Sequence, residues 1–307
     1  VKEVSSMKKI LSLLVICIVL GGGGYYVWAT QFNDGFSDII KTSETSKIKL
    51  PSDIHSKTIL LQNLSTGEML IEKNETKEVE IASLTKLITA YLLLEAETNL
   101  EKTVTIDQRI IDDLMAEGAS LSGYRSGDEL TIEDLAYGIV LPSGGDAALV
   151  AANYVAGSEK AFVEKMNQLA KELKMINTHF KNSTGLDARN HYSTVEDLSK
   201  FMNVALKNQN FRKLVTTTTY QTDGTIYTPE GYYIESTMLK DSADLSIANG
   251  QILGGKTGYT KKAGQCLISL AEIEGEYYLL ITTGADGNPF TEQYNMADAR
   301  LIYETIG

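Results

Sequence analysis

Two apolar, β-rich runs close together near the carboxyl end, residues 266–273 and 277–283, constrain this chain more than any other feature. Only Glu274-Gly275-Glu276 separates them, so they read as an antiparallel hairpin. A similar signal lies near the start of the folded part, where 58–64 and 68–71 flank Ser65-Thr66-Gly67. Between these ends the period changes to that of helices. Residues 81–96 carry Leu84, Leu87, Ile88, Tyr91, Leu92 and Leu94 at helical spacing. Thr131 reads as the N-cap of a helix through Leu135, Ile139 and Val140, with Glu133 and Asp134 in its first turn. Further helices are expected over 146–155 and over 160–173, the latter with Phe162, Met166, Leu169 and Leu173 as its buried stripe. Strands at both ends with helices between predict an α+β fold: one mainly antiparallel sheet built from the termini, flanked by helices and interrupted by a helical subdomain.

The amino end reads differently. Residues 1–9 hold three lysines and one glutamate, and then twenty residues, 10–29, carry no charge. As a helix that run spans about 30 Å, the thickness of a bilayer core. Asp34 and Asp38 precede the next basic residue, Lys41. A basic flank before the run and an acidic one after it predict a cytoplasmic tail over 1–9, a transmembrane anchor or signal segment over 10–29, and an extracellular remainder at the cell membrane. Residues 30–57, rich in Ser, Thr, Lys and Asp, read as an extracellular stalk, and 58–307 as the folded domain. Cys17 lies in the apolar run, which leaves Cys266 alone outside and predicts no intramolecular disulfide.

The 307 residues carry 28 Lys plus Arg against 40 Asp plus Glu, a net charge of −12 that argues against a nucleic-acid partner. Three histidines with no H-E-x-x-H spacing argue against a zinc peptidase.

Three short motifs could carry chemistry. Ser83-Leu84-Thr85-Lys86 places a hydroxyl and an amine three residues apart at the start of a predicted helix. On a helix those side chains share a face, as a serine nucleophile with a lysine base requires. Alone the motif is weak, because Ser6–Lys9 and Ser46–Lys49 repeat its spacing, and taken by itself it reads first as a capping serine beside a solvated lysine. Lys256-Thr257-Gly258 follows Gly254-Gly255 and precedes the terminal hairpin, where it could line a cleft and hold a carboxylate; as a lone tripeptide it reads first as loop punctuation. Leu141-Pro142-Ser143-Gly144-Gly145-Asp146 reads as a helix–helix turn with Ser143 or Asp146 as N-cap.

Their order changes the reading. S-x-x-K, then S-G-x 60 residues on, then K-T-G 113 residues after that, is the arrangement of active-site serine penicillin-recognising enzymes. From about residue 58 to 307 the sequence resembles serine D-alanyl-D-alanine carboxypeptidases, the low-molecular-mass penicillin-binding proteins. Residues 81–90, LTIEDLAYGIVLPSGGDAA, FVEKMN, NTHFKNSTGL, His191-Tyr192-Ser193-Thr194 and GGKTGYTKKA carry the resemblance. It implies a β-lactamase/transpeptidase-like fold and a hydrolase that removes the terminal D-Ala from peptidoglycan stem peptides ending in D-Ala-D-Ala, with β-lactams as inhibitors and neither metal nor organic cofactor. Ser83 would be the nucleophile and Lys86 the base, its pKa lowered by burial and by Lys256. Ser143 would pass a proton to the leaving amine, Lys256 and Thr257 would bind the terminal carboxylate, and the N–H groups of Ser83 and Tyr259 would form the oxyanion hole beside Gly258. One departure stands out: the family's second motif usually ends in Asn, whose amide the resemblance implies would orient the lysine and the substrate's amide carbonyl, and here that residue is Gly145, which cannot.

Glu164 superficially resembles the deacylating glutamate of class A β-lactamases, but it reads as a solvated helix residue, and His191 as a loop histidine stabilising local structure. Two alternatives stay open, a β-lactamase on the same scaffold and a non-catalytic peptide- or lactam-binding module suggested by Gly145. Housekeeping trimming and a role accessory to glycopeptide resistance would use the same reaction.

Overall fold

A computed structural model describes residues 48–306. The tail over 1–9, the apolar segment 10–29 and the stalk up to residue 47 lie outside the described residues. Among those described, no helix is long and apolar enough to cross a membrane.

In chain order the strands are β1 (Thr58–Asn63), β2 (Met69–Lys73), β3 (Thr103–Thr105), β4 (Glu129–Thr131), β5 (Thr219–Gln221), β6 (Tyr233–Glu235), β7 (Ser246–Ile247), β8 (Gly250–Thr260), β9 (Gly264–Ile273) and β10 (Glu276–Ala285). The helices are α1 (Thr85–Ala96), α2 (Gln108–Ala116), α3 (Ile132–Val140), α4 (Gly145–Ala156), α5 (Glu159–Glu172), α6 (Val195–Ala205), α7 (Gln209–Val215) and α8 (Tyr294–Tyr303). Six strands form one antiparallel sheet in the order β2-β1-β10-β9-β8-β7, so the first strand lies beside the last. The α+β architecture expected from the alternating patterns is the one observed. Its terminal hairpin turns through Glu274 (φ 53°) and Gly275 (φ 82°), two left-handed residues that match the twist of the flanking strands.

Side-chain alternation explains why this sheet is buried on both faces. Leu60, Ile268, Leu270, Leu279 and Ile281 enter the larger core, shared with α1, α3, α4, α6 and α7. Their neighbours Ile59, Leu61, Leu267, Leu280 and Tyr278 enter a second core under α8. Ile48, Leu50 and Ile54 pack against that second core, and Ile48 N–H donates to the Leu70 carbonyl. Within the range read as stalk, residues 48–54 thus place three apolar side chains on a surface of the folded part. The junction is pinned by Asp298 of α8, whose buried carboxylate accepts from His55 N (3.0 Å), Ser56 N (2.7 Å) and Ser56 Oγ (2.5 Å). Asp298→Ala strands the two buried donors of Ser56 and the part-buried N–H of His55 and should cost about 3 kcal/mol, read as a lower midpoint in urea unfolding.

The helical part is built on local signals. Thr131 caps α3 in a capping box, accepting from Asp134 N while Asp134 accepts from Thr131 N (both 3.0 Å). Two starts differ from expectation. The helix expected from residue 81 begins at Thr85, after a 3₁₀ turn over Ala82–Leu84 entered with Ala82 at φ 47°. Gly144 is the N-cap of α4 in place of Ser143 or Asp146, because Ser143 is left-handed (φ 68°) and Asp146 is turned inward. α1 is buried almost all round, as a helix at the centre of the larger core must be.

Candidate active site

Ser83 lies in the 3₁₀ turn, half-buried, and the turn delivers its hydroxyl to the amine of Lys86 one helical step later. Lys86 Nζ is 3.0 Å from Ser83 Oγ and donates to the Thr184 carbonyl at 2.7 Å. Thr184 belongs to a loop that the sequence shapes closely. Asn182 Oδ1 accepts from Gly185 N (2.7 Å), Asn182 Nδ2 donates to the Leu186 carbonyl (2.9 Å), and Glu159 takes Ser183 N and Oγ (2.8 and 2.7 Å). Gly185 has φ 82°, and a Cβ there would lie 1.9 Å from the Ala82 carbonyl. Only glycine lets this loop close against the turn that carries Ser83.

The second motif reaches the same place from the α3–α4 junction. Ser143 is buried and left-handed at the cavity wall. Its loop is fixed by Gly144 N to the Gly138 carbonyl (2.9 Å), and Gly145 N to the Ser120 carbonyl (2.8 Å). Asp146, also buried, accepts from Ser122 N and Oγ (2.8 and 2.5 Å).

The third motif lies on β8. Gly258 pairs with Cys266 of β9, and a Cβ at 258 would meet Ser83 N at 3.0 Å and Ala82 Cβ at 3.2 Å. The glycine thus serves the approach of strand to turn and sets the β8 backbone beside the Ser83 amide. Thr257 and Tyr259 line the cavity with Ser83 and Ser143, in a volume of about 1020 Å³. Lys256 lies beneath the floor: it is 1% exposed, and its amine donates to the Thr257 carbonyl at 2.9 Å. Thr257 Oγ1 is 2.6 Å from Thr237 Oγ1, whose backbone N–H is bonded to the Leu141 carbonyl beside Ser143. Thr237 ties the second and third motifs together.

Burial sets the electrostatics. Lys86, 3% exposed, has its pKa lowered to about 7 by desolvation, with the Asp146 carboxylate pulling the other way. Lys256 is held well below the ordinary lysine range by burial and then by Lys86 beside it. The two amines oppose each other's protonation, and burial is the main cause that brings Lys86 into the neutral range. A neutral amine 3.0 Å from a hydroxyl can accept its proton.

His191 supports the turn from behind. Its Nδ1 accepts from Lys181 N (3.2 Å), its Nε2 faces Thr85 Oγ1 (2.9 Å), and burial lowers its pKa to about 4. Glu164 is exposed on α5, and Cys266 is a buried free thiol in β9. Sequence reasoning missed the parts of Thr184, Gly185, Glu159 and Thr237. The Asn182-Ser183-Thr184-Gly185 run is a turn signal in plain view, whereas nothing in the sequence marks Thr237.

Residues 42–287 match the family model described as D-alanyl-D-alanine carboxypeptidase. The chain belongs to this family. It is 32% identical over 283 residues to the D-alanyl-D-alanine carboxypeptidase DacF of Bacillus subtilis, covering 91% of this chain and 67% of that one. A D-alanyl-D-alanine carboxypeptidase of Streptomyces sp. is 35% identical over 221 residues, 70% of this chain and 75% of its own. The DacD protein of Escherichia coli is 32% identical, and this chain spans 60% of its length. Among solved structures, the Streptomyces K15 DD-transpeptidase superposes with a TM-score of 0.72 at 29% identity, covering 84% of this chain and 99% of that one. Penicillin-binding protein D2 of Listeria monocytogenes, in a cefotaxime-bound form, gives 0.69 at 25% identity over 84% of this chain. This carboxypeptidase-family chain is thus a serine hydrolase of the penicillin-binding type, with the fold of those neighbours.

Proposed function

We propose that the protein is a membrane-anchored serine D,D-carboxypeptidase that removes the terminal D-Ala from peptidoglycan stem peptides at the outer face of the cell membrane. Ser83 Oγ attacks the carbonyl carbon of the penultimate D-Ala while Lys86 Nζ takes its proton. The developing oxyanion meets the backbone N–H groups of Ser83 and Tyr259, a contribution of about 3 kcal/mol by the usual magnitude. The C–N bond breaks, and the leaving amine takes a proton relayed through Ser143. Water then hydrolyses the ester and restores the Ser83 hydroxyl. Thr257 receives the terminal carboxylate, with Lys256 supplying positive potential from below when protonated, and Gly145 itself offers the peptide no side-chain contact. β-Lactams acylate the same serine.

The observation that carries this reading is the 3.0 Å approach of Lys86 Nζ to Ser83 Oγ in the cavity that Ser143 and Thr257 also line. The twenty uncharged residues 10–29 between oppositely charged flanks support the anchor. The test is to incubate the full-length protein with a peptide ending in D-Ala-D-Ala and measure free D-Ala, with intact mass after a labelled penicillin as the second readout. Release of D-Ala and a long-lived adduct on Ser83 are expected. An adduct that turns over within seconds would indicate a β-lactamase, and folded protein with no release a binding module.

The pH dependence follows from Lys86. Only the neutral amine accepts a proton, and its pKa is about 7. Below that value the neutral fraction falls about tenfold per pH unit, so kcat/KM for D-Ala release should rise with unit slope from pH 5 to about 6.5 and level above 7.5.

A further inference from the structure

Position 145, where the family resemblance leads to an asparagine, is glycine, and another segment of the chain packs against it. A Cβ on Gly145 would lie 3.2 Å from the Ser120 carbonyl, 3.5 Å from Ala119 Cβ and 3.6 Å from Leu114 Cδ1. The segment after α2 therefore packs directly against the place where a side chain at 145 would begin. It is firmly held there. Gly145 N donates to the Ser120 carbonyl (2.8 Å), Ala119 N to the Leu114 carbonyl (2.9 Å), and Ser122 N and Oγ to the buried Asp146 (2.8 and 2.5 Å). Ser120 itself is exposed and lines the cavity that holds Ser83 and Ser143. Among the described residues, none bonds its hydroxyl.

The geometry points to Ser120 as a substrate-binding residue, its hydroxyl making the contact to the peptide's amide that Gly145 cannot make. This rests on the carboxypeptidase reading of the cavity. A hydroxyl offers one donor and two acceptor positions, so it can serve either edge of a backbone amide. Its carrier is bonded to α2 through Ala119 and to the start of α4, the helix that follows Ser143, through Ser120 and Ser122, so the hydroxyl is placed at little entropic cost. The missing carboxamide is thus replaced by a neighbouring loop.

The experiment compares kcat/KM for D-Ala release from a D-Ala-D-Ala peptide by the full-length protein and four variants: Ser120→Ala, Ser120→Thr, Gly145→Asn, and Gly145→Asn with Ser120→Ala. Ser120→Ala should lower kcat/KM about tenfold, the loss of one polar contact, with an unchanged melting temperature. Ser120→Thr, which keeps the hydroxyl, should stay within about threefold of wild type. In the Gly145→Asn background, Ser120→Ala should change the rate by less than about threefold, because the carboxamide then supplies the contact. Ser120→Ala within about twofold of wild type, or an equal loss in both backgrounds, overturns the inference. Should the tight contact at 145 prevent Gly145→Asn from folding, the comparison of Ser120→Ala with Ser120→Thr decides alone. A wild-type protein that releases no D-Ala overturns the carboxypeptidase reading and this inference with it. Release by wild type beside an unimpaired Ser120→Ala overturns the inference only.

Discussion

Lys86→Met should abolish acylation while leaving the protein folded. The methionine has nearly the volume of the lysine stem and no amine, so Ser83 keeps its turn but loses its proton acceptor 3.0 Å away. A base and the nucleophile it serves act as one unit, and losing the base costs about 10³- to 10⁴-fold. The same loss should appear in D-Ala release and in the rate of labelling by penicillin, because both need the serine proton removed. Stability should move little. The buried amine costs desolvation, and its removal offsets the loss of its bond to the Thr184 carbonyl. A variant that unfolds near the wild-type temperature yet still acylates at the wild-type rate would place the base elsewhere.

Gly185→Val is expected to strike both fold and activity. Residue 185 has φ 82°, a conformation a β-branched side chain scarcely adopts, and its Cβ would lie 1.9 Å from a backbone carbonyl that has nowhere to retreat. The cost should reach at least about 3 kcal/mol, seen as a lowered denaturation midpoint. Any molecules that still fold must separate the 182–186 loop from the Ala82–Leu84 turn. That removes the Thr184 carbonyl from Lys86, so D-Ala release should fall by at least about 10²-fold even in the folded fraction. Folded, fully active Gly185→Val protein would show that the loop plays no part in holding the serine.

Much of the frame was readable from residue patterns, and its limits follow physical lines. The terminal hairpin and the Thr131 cap were legible because local chemistry decides them: Glu274-Gly275 takes the left-handed pair of a tight turn, and Thr131 satisfies its own helix end. The start of α1 was not, because the 3₁₀ turn exists to meet β8 and the 182–186 loop, two partners distant in sequence. The packing of residues 48–54 was not legible either, since Ile48, Leu50 and Ile54 look unpatterned until the second core offers them a surface. In the site, the spacing of the three motifs gave the residues that gather at the cavity. The carriers that hold them, Gly185 behind Ser83 and Thr237 beside Thr257, become visible only when the chain is closed. The main cause of the lowered Lys86 pKa was legible: a lysine packed into the central helix must lose hydration, whereas the degree of that burial is set only when the chain closes.

The pairing of β1 with β10 has a consequence for when this enzyme can exist. The serine lies on a segment made early, yet the strand that faces it, β8, and the two strands that dock β8 onto β1 end at residue 285. Long-range pairings of this kind form late, after the loop between them has been closed. A nascent or half-exported polypeptide therefore carries the nucleophile without a working centre. Reactivity switches on only after almost the whole chain has emerged, which keeps an acylating serine silent throughout synthesis and transit.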